Sequence, residues 1–250
     1  MKELLKRVQR RGRRIWNYHR MERILRGRRG LEIGGPSSAF SPAAPNGFVP
    51  PVYALAASID NCNFAASTTW SQGAAGPTFA YLPGREPGMQ YIHDATRLAS
   101  IDNGAYDFVL ASHILEHVAN PLQALKEFRR VLRPGGHLLI LVPNSIHTFD
   151  HRRPVTTFTH LEGDLAANRK EDDTTHLEEI LALHDLERDP GAGTAEEFRA
   201  RCLKNSETRC MHHHVFDLAL LDTALRYKGF RPIYETDNWG VNILAFAVRT

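Results

Sequence analysis

The feature that most constrains the fold is a strand–helix–strand unit in the middle of the chain. Two short apolar runs bounded by turn residues, Tyr106 to Ser112 and His137 to Val142, are typical of parallel strands covered on both faces. The helix predicted between them starts after Asn120, a capping residue, with Pro121 at its first position, and a Pro-Gly-Gly turn at 134–136 follows it. The spacing therefore predicts a βαβ unit within an α/β domain.

Five short motifs occur in order around this unit. They are LEIGG (31–35), SID (58–60), HDAT (93–96), LEH (115–117) and RVLRPGG (130–136). Together they resemble class I S-adenosylmethionine-dependent methyltransferases of the methyltransferase type 11 kind, over roughly residues 29–144 and more weakly from residue 217 onward. The resemblance implies an α/β fold: a Rossmann-like, doubly wound, mostly parallel seven-stranded sheet that ends in an antiparallel β-hairpin. The turn at 237–240, between two strand-like runs, agrees with such a hairpin.

The domain organisation follows from where the resemblance begins and breaks off. We expect a basic helical extension at residues 1–28 and a single methyltransferase domain at 29–250. Residues 145–214 interrupt that domain, and they contain eight of the 13 histidines. A segment this long inside a compact domain is usually functional, so we expect a helical lid that supplies the acceptor pocket.

The resemblance implies S-adenosylmethionine as the cofactor, bound along the carboxyl edge of the sheet. The glycine turn after the first strand lets the backbone approach a ligand closely, Asp60 is expected to accept hydrogen bonds from the ribose, and Asp94 to accept one from the adenine amino group. His113, after the strand that ends at Ser112, is expected near the transferred methyl. The expected cofactor-binding residues are Glu32, Gly34, Gly35, Asp60, Asn61, Asp94, Ala95, Ser112 and His113.

A histidine is the expected general base if the acceptor is a hydroxyl. The candidates are His113, His151, His176 and His213, and the last three are flanked by acids or arginines in the insertion. A polar lid held together by ion pairs explains the same residues without catalysis. No tight metal-ligand spacing such as HExxH occurs, so no metal is assigned. His117 of LEH is expected to pack on the helix and sheet.

Charge and cysteine content indicate which partners and which cellular compartment to expect for the protein. Residues 1–30 carry a formal charge of +10 and the remaining 220 residues −7. The basic extension, in which Gly12 weakens a continuous helix, is either a solvated helix that covers the domain or an arm for an anionic surface or partner. No RNA-binding motif accompanies it, so nucleic acid is not expected. Three cysteines without CxxC spacing favour a reducing, cytoplasmic setting, and no apolar run is long enough for a transmembrane segment.

The predicted function is in-line methyl transfer from S-adenosylmethionine to a small-molecule or glycan-like acceptor. One alternative is a non-catalytic nucleoside-binding partner subunit with a methyltransferase-like fold, because the loop after Gly35 lacks the further glycines usual in the family. The other is an NAD-dependent oxidoreductase, which the absent GxGxxG motif and the terminal hairpin disfavour.

Overall fold

The computed structural model describes residues 2–43, 47–68 and 72–250, with side chains described from residue 11 onward. The described strands are β1 (Arg29–Ile33), β2 (Ser58–Asn63), β3 (Gly76–Phe79), β4 (Gly88–Ile92), β5 (Tyr106–Ser112), β6 (Leu132–Pro143), β7 (Phe230–Trp239) and β8 (Asn242–Arg249). The described helices are α1 (Lys2–Leu25), α2 (Val52–Leu55), α3 (Pro121–Val131), α4 (Phe158–Ala167), α5 (Leu177–Leu183), α6 (Ala195–Leu203), α7 (Asn205–Thr208) and α8 (Leu218–Tyr227).

The strands form one sheet in the order β3-β4-β2-β1-β5-β6-β8-β7. Strands β4, β2, β1, β5 and β6 are parallel, whereas β7 and β8 form the antiparallel hairpin at one edge. The predicted fold class, with its terminal hairpin, is confirmed. The described sheet has eight strands instead of seven, because β3 pairs antiparallel with β4 at the opposite edge.

The central βαβ unit matches its sequence pattern closely. Strand β5 has the predicted bounds, and helix α3 begins at Pro121 with the Asn120 side chain accepting a hydrogen bond from the Gln123 amide at 3.1 Å. The apolar residues of α3, among them Leu125 and Phe128, are fully buried in the core on one side of the sheet. This packing fixes the positions of β5 and β6. The carboxyl ends of these two strands form one half of the sheet edge at which the parallel strands end.

Helix α1 packs its C-terminal half onto the other face of the sheet. Met21 and Leu25 are fully buried there, whereas the Trp16 side chain is 60% exposed. The helix continues through Gly12, which was expected to weaken it, because an exposed glycine costs only about 1 kcal/mol relative to alanine. Within the described ranges, no helix is both long enough and apolar enough to span a membrane.

Residues 145–214 form the helical insertion between β6 and α8. Helices α4 to α7 lie in it, and it has a small hydrophobic core of its own. That core consists of Leu177, Ile180, Ala192, Phe198, Cys202 and Met211. Because β6 ends at the carboxyl edge of the parallel strands, the insertion starts at that edge.

Candidate active site

A cavity of about 1000 Å³ lies between the carboxyl edge of the sheet and the insertion. The sheet contributes residues at or just beyond the ends of several strands, including Gly34, Asn63, Ser112 and Pro143. The insertion contributes residues from its first and last segments, from between α5 and α6, and from α6 itself. These are Thr148, Phe149, Asp189, Gly191, Arg201, Arg209, Cys210 and His212. This edge is where open α/β sheets bind ligands.

The glycine turn after β1 forms one wall of the cavity. Gly34 has φ +79°, a conformation that L side chains rarely adopt, and its amide donates to the carbonyl oxygen of Cys62 at 2.9 Å. A Cβ at Gly34 would lie 2.1 Å from Cδ1 of Ile114, another cavity residue. The loop therefore presents bare backbone to the cavity, as close approach of a ligand requires.

Three expected cofactor residues brace this turn from behind. The carboxyl group of Glu32 is fully buried, which raises its pKa to about 8, and it accepts hydrogen bonds from the Tyr53 hydroxyl at 2.8 Å and the Ser37 amide at 3.0 Å. The Asn61 side chain accepts from the Gly35 amide at 2.9 Å. The residues that line the cavity do not include Glu32, Gly35 or Asn61. Their contacts are those of residues that position the turn.

Asp60 does not lie at the end of its strand. It is the third residue of β2, and its carboxylate accepts from the Arg29 guanidinium, the Tyr106 hydroxyl and the Met89 amide, each at 2.8 Å. It faces a smaller, separate pocket. This corrects the expected placement: pairing with β1 and β4 extends β2 to Asn63, which lines the main cavity where Asp60 was expected.

Asp94 and Ala95 lie after β4, and Ala95 lines the cavity. The Asp94 carboxylate accepts from the Thr96 amide and hydroxyl and, at 2.8 Å, from the Arg209 guanidinium of the insertion. Burial alone would raise the pKa of Asp94, but the Thr96 hydrogen bonds and the Arg209 charge lower it. Asp94 thus joins the sheet edge to the insertion through an ion pair.

Ser112 and His113, at the end of β5, both line the cavity as expected. His113 has φ 55°, a left-handed conformation that is strained for a residue with a Cβ. Its imidazole Nε2 lies 2.7 Å from Oδ1 of Asn242, and its Nδ1 lies 3.5 Å from Oε1 of the buried Glu116. These contacts fix the ring at the rim of the sheet.

The three lid histidines predicted as bases are not among the residues that line the cavity. His151 Nε2 lies 2.8 Å from an Asp185 carboxylate oxygen. His213 is fully buried, with Nε2 2.9 Å from Nδ2 of Asn205, and His176 contacts another histidine of the insertion. The acids and polar groups that flank these residues orient them within the insertion and do not bring them to His113.

The sequence analysis did not single out His212, the histidine of the insertion that lines the cavity. Its Nδ1 lies 2.5 Å from Oδ2 of Asp150, whose Oδ1 accepts from Arg153 Nη1 at 3.0 Å. Burial opposes ionisation of Asp150, yet the charges and hydrogen bonds of His212 and Arg153 lower its pKa to about 2. The sequence signal was present in the acid and arginine of DHRR and in the run of three histidines.

His117 also lines the cavity and is more than a packing residue. Its ring meets that of His212 edge-on, with centroids 4.5 Å apart, and its Nδ1 lies 3.1 Å from the Met211 carbonyl oxygen. The adjacent Glu116 carboxyl group is buried, which raises its pKa, and neither of its oxygens has a hydrogen-bond partner. Glu116, His117 and His212 offer donor atoms within 4.8 Å of one another, a set that suits a divalent cation.

Comparison with known proteins agrees with this architecture. A family model described as a methyltransferase domain matches residues 4–233. The trans-methyltransferase CalH, solved in complex with SAH, aligns with a TM-score of 0.50 at 16% identity over 92% of this chain and 53% of the CalH chain. An S-adenosylmethionine dependent methyltransferase from Mesorhizobium loti aligns with a TM-score of 0.50 at 13% identity, over 90% of this chain and 93% of that one.

A shorter match is found among curated proteins. An uncharacterized 37.1 kDa protein in transposon TN4556 of Streptomyces fradiae is 48% identical over 63 residues. The match spans 25% of this chain and only 17% of the transposon protein. The bare backbone of Gly34 at the cavity wall fits the cofactor of the resembling family, and the family model covers nearly the whole chain. The chain therefore belongs to the methyltransferase domain family.

Proposed function

We propose that the protein transfers a methyl group from S-adenosylmethionine to a hydroxyl group of a small-molecule or glycan-like acceptor. In this proposal the cofactor lies along the turn at Gly34, with its ribose near Asn63 and its adenine near Ala95. Ser112 and His113 then flank its methyl-bearing end. All five residues line the one cavity at the carboxyl edge of the sheet, which supports a single extended ligand.

When bound, S-adenosylmethionine supplies a methyl group on a sulfonium that is already a good leaving group. The protein therefore has to align the acceptor with the methyl, exclude water and remove the hydroxyl proton. We assign the acceptor pocket to the insertion, residues 145–214, because it forms the cavity wall opposite the sheet. Arg201, Arg209 and Asp189 give that wall charged groups that suit a polar, hydroxyl-rich acceptor.

The observation that carries the proposal is the Asp150–His212 pair. Burial lowers the pKa of His212, but the charge and hydrogen bond of Asp150 raise it overall, so the base form is the one populated as the pH rises. In that neutral form, with the proton on Nδ1, the N–H donates to the Asp150 carboxylate and Nε2 is the proton acceptor. Arg153, itself buried, holds Asp150 and also donates to the His212 carbonyl oxygen at 2.8 Å. His212 thus replaces His151, His176 and His213 as the proposed base, and its ring is oriented before the acceptor arrives.

The test is transfer of labelled methyl from S-adenosylmethionine to a panel of hydroxylated small molecules and glycans, with amines as a second panel. His212→Ala should lower turnover on a hydroxyl acceptor by about 100-fold or more. Cofactor affinity in calorimetry should not change, and added imidazole should restore part of the turnover. Asp150→Asn should act in the same direction, because it no longer fixes the ring. His151→Ala is the matched control and should keep full turnover.

Two outcomes would contradict the assignment. If His212→Ala keeps full turnover on hydroxyl acceptors, or His151→Ala loses it, the base is misassigned. If the protein binds S-adenosylmethionine but labels neither panel, the non-catalytic partner-subunit interpretation is favoured over the enzyme proposed here.

A further inference from the structure

Four side chains of the insertion converge away from the cavity, and we call them the lid cluster: His160, Asp164, His176 and His214. His160 and Asp164 lie one turn apart on α4, His176 precedes α5, and His214 lies in the segment before α8. Donor atoms of the three histidines lie within 4.8 Å of one another. None of the four residues lines the cavity described above.

Three separations between ligand atoms of the lid cluster are close to those in a tetrahedral shell, and the three histidines form the mutually close set. His160 Nε2 lies 3.0 Å from His176 Nε2 and 3.2 Å from Asp164 Oδ2, and His214 Nε2 lies 3.6 Å from the same Asp164 oxygen. Zinc bonds to nitrogen and oxygen of 2.0–2.1 Å, directed to the corners of a tetrahedron, place neighbouring ligand atoms about 3.3 Å apart. The three measured separations lie on either side of that value.

Hydrogen bonding does not account for the Asp164 carboxylate. Asp164 is only 4% exposed, and its Oδ2 is buried without a hydrogen-bond partner although two imidazole nitrogens lie within 3.6 Å. The Arg169 guanidinium comes no closer than 4.0 Å, and only to the other oxygen. A buried carboxylate oxygen without a partner costs free energy that a bound cation would offset.

We propose that the lid cluster binds one divalent transition-metal ion, with Zn²⁺ as the preferred ion. Three imidazoles and one carboxylate form a borderline ligand set that suits zinc better than calcium or magnesium. The three histidines supply the ligand set, and the Asp164 carboxylate, beside His160 and His214, is the proposed fourth ligand. The ion joins α4, the start of α5 and the segment before α8, which are far apart in sequence.

The proposal is independent of the methyl-transfer chemistry and is tested on untagged, full-length protein. After removal of metal with a chelator, Zn²⁺ alone is titrated in calorimetry and in thermal unfolding. We expect one ion per chain at the lid cluster and a rise in melting temperature of roughly 5–10 °C with zinc about 100-fold above its dissociation constant.

Variants locate the ion. His176→Ala and Asp164→Asn should each abolish the zinc-dependent rise in melting temperature and weaken binding at least 10-fold. The His147→Ala control removes an exposed histidine of the same insertion and should change neither. Far-UV circular dichroism of the metal-free variants checks that they fold, and His176→Gln serves if His176→Ala does not.

Loss of binding in His117→Ala with retention in His176→Ala and Asp164→Asn would place the ion beside the cavity and overturn the proposal. A melting temperature that zinc does not change would also overturn it.

Discussion

Replacement of Gly34 by alanine tests whether the turn after β1 holds the cofactor. The new Cβ would lie 2.1 Å from Cδ1 and 3.0 Å from Cγ1 of Ile114, so the Ile114 side chain would have to move by more than 1 Å. That residue lines the cavity, and the shift would push it into the space proposed for the cofactor. The backbone adds its own cost, because φ of +79° is unfavourable for alanine by about 1–2 kcal/mol.

Gly84 offers a matched control. It has the same φ of +79°, but a Cβ there meets nothing within 4 Å. Both variants should therefore lose about 1–2 kcal/mol of unfolding free energy in denaturant titrations through backbone strain. Only Gly34→Ala should also lose cofactor affinity, by at least about 10-fold or 1.4 kcal/mol in calorimetry.

The double variant Gly34→Ala/Ile114→Val should regain part of that affinity, because valine lacks Cδ1. An unchanged affinity for S-adenosylmethionine in Gly34→Ala would show that the turn is not the cofactor cradle. Equal losses of affinity in Gly34→Ala and Gly84→Ala would show that backbone strain, and not the collision with Ile114, is responsible.

Two further predictions concern the second strand and the N-terminal helix. Asp60→Ala should lower the free energy of unfolding, measured by denaturant titration, by about 1–3 kcal/mol without changing cofactor affinity. Asn63→Ala should instead weaken cofactor binding, measured by calorimetry, by about 1 kcal/mol. The reverse pattern would show that Asp60, and not Asn63, binds the ribose. Met21→Ala should cost about 2–5 kcal/mol and Trp16→Ala less than about 0.5 kcal/mol. Salt-sensitive binding to anionic vesicles that Trp16→Ala abolishes would instead make α1 an anion-binding arm.

The sequence predicted the sheet well because its signals there are local. The apolar run of β5 and the cap at Asn120 depend on neighbouring residues, and both have the predicted positions. The end of β2 depends on its partners instead. Pairing with β1 and β4 carries the strand three residues beyond Asp60, so an acid in a familiar motif occupies an interior position of the strand. Strand pairing is a tertiary property that the motif SID does not contain.

The insertion was less predictable because the surroundings of its side chains are determined by contacts with residues distant in sequence. Asp150 and His212 are separated by 62 residues, and no spacing rule links them. The three consecutive histidines show the same limit most clearly. His212 lines the cavity, His213 contacts Asn205, and His214 approaches Asp164, so three residues of one type have three different surroundings.

This arrangement implies that the order of the insertion and the position of the proposed base depend on one another. All three residues of the segment 212–214 are buried, so the orientation of the His212 ring toward the cavity depends on the contacts that His213 and His214 make. Asn205 anchors the middle residue, and its side chain also accepts from the Met211 amide at 2.9 Å. A loss of the contacts at His213 or His214 would therefore displace the His212 imidazole without touching the cofactor side of the cavity. The cofactor half of the site depends on strand ends, and the acceptor half depends on how the insertion packs.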